Sequence, residues 1–289
     1  SRRSLALPLS ALLAFLFTLL SSPLLRAAPA DDLLRLHQLR LAAQKSLGDF
    51  YMYNGMEGDQ RYARMIGESM QRAQGHLDAL EQMPGDASRA LQGQLRSSWQ
   101  SYRDGLQGLM DAMRSQGFTD LQPVADLADN NQRLMAISQE LYQKIQQESG
   151  QSVPPLTQKS REQSLLMQSI SVDYASRSAS VGTSFFGGGE ERAMDELVGE
   201  FASKLDSLSA AQQNTPQITA ALSAIETKWR YIEKSLRNYN ENTVPFLVSK
   251  YSDSIIEGLE GVAAQVALLH LADQQISGRA FSETRSSQR

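Results

Sequence analysis

Cysteine is absent from the 289 residues. That excludes a disulfide framework, a thiolate nucleophile, a lipid-modified cysteine and any cysteine zinc site. Histidine is almost as scarce. His37, His76 and His270 are dispersed, with no H-x-x-x-H or H-E-x-x-H arrangement. Serines are plentiful, but there is no G-x-S-x-G elbow and no histidine placed to act as their base. Gly187-Gly188-Gly189 follows no strand and precedes no Gly-Lys-Ser/Thr, so it is not a phosphate loop. Glu190-Glu191 at a helix start is explained by the helix dipole. The net charge of −4 carries no clustered basic face, which excludes nucleic acid as a partner. The residues thus point to a non-enzymatic protein, with neither cofactor nor metal.

Aromatic residues make up only 7% of the chain, while Leu, Ala, Gln, Ser and Glu abound. Strands favour β-branched and aromatic residues, so this composition predicts an all-α fold. The two tryptophans organise it. Leu91, Leu95, Trp99, Tyr102 and Leu106 recur at steps of about four, four, three and four, and Ala221, Ile225, Trp229, Ile232 and Leu236 repeat those steps. A proline and another amphipathic helix follow each (Pro123, Pro245). Upstream, Leu41 to Phe50 resembles Leu165 to Tyr174, with Leu, Gln, Asp and an aromatic at matching positions. A long internal repeat of this kind dictates architecture.

Residues 1–30 read as a secretory signal. Arg2 and Arg3 precede an apolar run from Ala11 to Leu20, and Ala28-Pro29-Ala30 offers small residues before Asp31-Asp32. The alternative is an N-terminal membrane anchor, because Leu5 to Leu25 is nearly long enough to span a bilayer. Either reading places the remainder in the periplasm. Residues 31–150 form the first expected helical module and 156–278 the second, each with four helices. They are separated by Ser149 to Pro155, and a disordered tail is expected over 279–289. The modules stand as two antiparallel bundles or fuse into one elongated bundle. Asn54-Gly55 and Gly58 interrupt the first copy, as Gly187 to Gly189 interrupt the second. Asp86 is the expected cap of the Trp99 helix, and Asn214-Thr215-Pro216 opens the Trp229 helix.

The run Phe201, Leu205, Leu208, Asn214-Thr215-Pro216-Gln217-Ile218, Leu222, Ile225, Trp229, Val244-Pro245, Ser252, Ile256 and Leu259 resembles the PilJ-type sensory module of type IV pilus chemotaxis transducers. That module is similar to the helical nitrate- and nitrite-sensing domain of sensor kinases. The resemblance covers about residues 160–264, and more weakly 36–147. It implies tandem helical sensory modules. The family's first-helix signature, G-x-x-R-M-x-S, supplies an arginine that contacts the anion. Here Met167 and Ser169 fit, while Gln163 stands at the glycine and Leu166 at the arginine, and Ala42 takes the arginine's place in the first copy. The planar fork that reads an anion is therefore missing from this position.

Gln44 with Asp49, and Gln168 with Asp173, are the best candidates for polar work because both copies hold them. Together with Met167 and Ser169 they form the expected ligand-binding set. Five residues apart on a helix lie about 140° apart, so each pair needs donors from a neighbouring helix. Otherwise these groups satisfy interhelical hydrogen bonds or face water. Met52 and Met56 would share a face as soft ligands if the first helix ran that far, but methionine also fills irregular cores. Phe185 and Phe186 either close a core or form a partner patch. The expected function is a sensor-like protein that binds a small solute or a receptor partner and signals through a membrane receptor or sensor kinase. A homodimer is compatible with it. The alternative is a structural adaptor of the cell envelope without a small-molecule ligand.

Overall fold

The structure, a computed structural model, describes residues 23–179 and 193–286. The described residues form eight helices and no strand: α1 (Pro23–Gly55), α2 (Gln60–Asp78), α3 (Asp86–Gln116), α4 (Leu121–Ser149), α5 (Pro155–Ala179), α6 (Met194–Ser209), α7 (Pro216–Arg237) and α8 (Pro245–Ser286). The fold is all-α. Phe185, Phe186, the glycine run and Glu190-Glu191 lie outside the described residues.

Helix ends follow local chemistry. The Asp59 carboxylate accepts the Arg61 amide at the start of α2, and the Thr215 hydroxyl accepts the Ile218 amide before α7, with Pro216 in its first turn. Gly117 and Gly150 end α3 and α4 at positive φ. Asp86 does not cap α3 but is its first residue. Glu148 from the end of α4 takes that role instead, accepting the Ser88 amide at 3.1 Å and the Ser88 hydroxyl at 2.8 Å. A carboxylate held there by tertiary packing satisfies the orphan donors as well as a local side chain would.

Both tryptophan stripes are buried. Leu91, Leu95, Trp99, Tyr102 and Leu106 enter one apolar cluster, and Ile225, Trp229, Ile232 and Leu236 enter another, with Ala221 packed against it. The first cluster draws on α1 to α4, and the second on α5 to α8. Val172 and Ala175 of α5 cross over to join the first. Helix pairings recur between the halves: α1 packs on α2 and α4, and α3 on α4, as α5 packs on α6 and α8, and α7 on α8. Helix α6 also packs on α7, and the halves meet mainly through α1 against α5, with α8 reaching α1 at His37–Glu260 and Lys45–Asp253.

Helix α8 overruns the bundle. The tail disorder expected beyond Gly278 is replaced by helix through Ser286, as no proline interrupts the backbone ladder there. From Leu268 onward its side chains are exposed, including Leu271, Ile276 and Phe281. By length and composition α8 is apolar enough to cross a membrane, and 28% of its apolar window is buried within the bundle. At the other end, α1 ends at Gly55, so Met52 is a core residue and Met56 stands outside the helix, 44% exposed.

Candidate functional site

Where α1 meets α5, the two helices run parallel and close to the register of the repeat. A Cβ on Gly48 would lie 3.1 Å from Val172, and one on Gly55 would lie 3.0 Å from Ala179. These are the pairs that aligning Leu41 with Leu165 places together. Small residues let the helix axes approach, and the approach puts polar side chains of both copies into one seam. Helix α8 runs antiparallel along it, since His37 meets Glu260 while Lys45 meets Asp253.

The seam is charged and ranges from fully buried at His37 to partly exposed at Asp253. His37, 1% exposed, sits 2.8 Å from the Glu260 carboxylate, which also accepts the Ser164 hydroxyl at 3.0 Å. Burial pushes the His37 pKa down, and Glu260 opposes that only in part. Two turns along α1, Lys45 bridges Asp49 at 3.1 Å and Asp253 at 3.3 Å. Burial works against its charge, but the two carboxylates outweigh it and raise its pKa. Asp49 is pushed up to about 6, first by burial, with Lys45 pulling it back. Asp49, Gln168, Ser171 and Asp253 line a small cleft around Lys45.

A second cleft opens on the other side of the α1/α5 pair, against α4. It is a groove of about 390 Å³ lined by Arg40, Gln44, Asn131, Gln132 and Ser169, with Met135, Leu165 and Leu166 as its apolar wall. Gln44 donates to the Ser169 hydroxyl at 2.8 Å, and the Asn131 amide donates to the Ala43 carbonyl at 3.2 Å. The Nε of Arg40 is buried without a hydrogen-bond partner among the described residues. Burial lowers the Arg40 pKa, with Tyr142 and the exposed Glu162 opposing it.

The expected ligand set is divided among these environments. Gln44 and Ser169 meet in the open groove, and Asp49 and Gln168 meet in the Lys45 cleft. Met167 is fully buried in the second core. Asp173 pairs with Arg177 on its own helix at 3.0 Å, and burial raises its pKa against that pairing. The six residues therefore do not form one pocket. Arg40, His37, Asn131, Asp253 and Glu260 escaped the sequence reading. Asp253 and Asn131 were within its reach, because aligning Pro245 with Pro123 superimposes them. Arg40 has serine, Ser164, at its counterpart, so no repeat pattern marks it.

Among the described residues, no three His, Asp or Glu side chains gather to hold a metal ion. No family model, curated protein or solved structure matches the chain.

Proposed function

We propose that the chain is a periplasmic, non-enzymatic, sensor-like protein that binds a small solute or a receptor partner and reports through another polypeptide. The observation that carries this reading is the polar seam between the two halves. Most of each core is apolar and close-packed, which resists partial change. Where α1 and α5 meet α8 on one side and α4 on the other, ion pairs and hydrogen bonds around two clefts supplement the close small-residue packing, and a solute that favours one arrangement of such a contact shifts its population. The resemblance to PilJ-type modules supports the same reading, as does the signal-like N-terminal sequence.

Thermal unfolding of the chain against small anions, amino acids and metal ions tests it. A ligand at about one hundred times its dissociation constant adds about 2.7 kcal/mol to stability, which is readily visible. A shift from any compound supports a solute sensor, and a flat panel removes the small-solute form of the proposal. The second reading, an envelope adaptor, draws on the exposed Leu268, Leu271, Ile276 and Phe281 of the α8 overhang. It is favoured by a flat panel together with an envelope protein that binds the chain and releases it when those residues are made polar.

A further inference from the structure

The two clefts flanking α1 and α5 are counterparts, and their differences are informative. The repeat aligns Gln168 of the Lys45 cleft with Gln44 of the groove, Lys45 with Ser169, and Asp253 with Asn131. In the first cleft the cation is matched internally, because Lys45 is held between Asp49 and Asp253, and little space is left. In the groove the cation comes from Arg40 instead, and the position of the matching carboxylate is filled by an amide, Asn131. Among the described residues, no acidic side chain lines the groove. Arg40 forms no ion pair with a described residue, and its Nε has no partner. Arg40 is half-buried, and the exposed Glu162 supports its charge without forming an ion pair, so a carboxylate in direct contact is what the groove lacks.

We infer that the α1/α4/α5 groove binds a small organic carboxylate, whose carboxylate group pairs with Arg40 and whose apolar part lies against Met135, Leu165 and Leu166. Gln44, Gln132 and the Ser169 hydroxyl supply further donors within the groove. Its volume of about 390 Å³ exceeds by far the roughly 30 Å³ share of one water. Room is therefore left for an organic part beside the charged group. Such a ligand would touch both halves, since Arg40 and Gln44 belong to α1 and Ser169 to α5. This inference rests on the reading of the protein as a solute sensor and names the ligand class.

The test is calorimetric titration of the chain with straight-chain carboxylates from acetate to octanoate, and with the corresponding primary amides. Carboxylates are expected to bind and amides not. Arg40→Gln is expected to weaken binding about 10- to 100-fold, the loss expected for charge-assisted hydrogen bonds. Gln44→Glu places a tethered carboxylate beside Arg40, and the Ser169 hydroxyl can still donate to it. That variant is expected to fold with wild-type helicity and to lose carboxylate binding. Carboxylate binding unchanged in both variants would place the ligand elsewhere and overturn the inference while leaving a solute sensor standing. Binding by metal ions or inorganic anions but by no organic carboxylate, amino acids included, would do the same. If nothing binds, the inference and the small-solute form of the proposed function fall together.

Discussion

Asp49→Asn probes the seam at its most unusual carboxylate. Asp49 is 3% exposed, 3.1 Å from Lys45 and 3.5 Å from the Ser69 hydroxyl, with Asp253 as a like charge on the far side of Lys45 and Arg72 contributing positive charge. Burial wins over these partners, and the pKa rises to about 6. An acid whose folded pKa exceeds its unfolded value holds its proton more tightly when folded. The stability it contributes is fully present below the unfolded value of about 4 and is lost as pH rises through about 6. That interval corresponds to about 3 kcal/mol. Asparagine mimics the neutral acid at every pH. The stability of the variant minus that of the wild type should therefore grow by about 3 kcal/mol between about pH 3 and pH 7, and be flat above. Urea unfolding followed by circular dichroism across that range measures it. Taking the difference removes the other shifted groups common to both proteins, Asp32 and Asp173 (raised) and His37 (lowered). A difference that stays constant, or shrinks as pH rises, refutes the reasoning. It would mean that Lys45 holds Asp49 as a carboxylate more strongly than burial opposes it.

The tryptophans offer a paired comparison. Trp99 donates its indole N–H to Gln74 at 2.7 Å, whereas the Trp229 N–H is buried without a partner beside the Phe201 ring, 4.3 Å between centroids. Trp99→Phe should cost about 1 kcal/mol more than Trp229→Phe in urea unfolding, because only the first loses a hydrogen bond. Two glycines of α8 should respond with opposite signs. A Cβ on Gly258 would lie 2.8 Å from the Ile225 Cγ1, so Gly258→Ala should destabilise by about 1–3 kcal/mol. Gly261 is exposed with nothing within 4 Å, so Gly261→Ala should stabilise by about 0.5–1 kcal/mol. Thermal unfolding of the two variants checks both signs.

Outer helices were easy to read and central ones were not. Helices α3 and α7 face the core on one side only, so their stripes through Trp99 and Trp229 carry a clean helical period. Helices α1 and α5 are gripped from several directions by α2, α4, α6, α8 and each other. Burial on many sides erases a one-faced stripe, and polar residues such as His37 and Gln163 then sit inside. The Asp86 cap failed for a related reason, since Glu148 arrives from the far end of the next helix.

The all-α fold, the helix breaks at Gly55, Gly117 and Gly150, the buried tryptophan stripes and the doubled pattern are local or periodic properties, so the sequence by itself determined them. Tertiary structure alone decided that α1 and α5 lie parallel, with Gly48 on Val172 and Gly55 on Ala179. It also decided that Lys45 finds an acid from α8 while Arg40 finds none. Charge balance at a buried site depends on which distant helix supplies the partner, and no spacing along one helix records that choice.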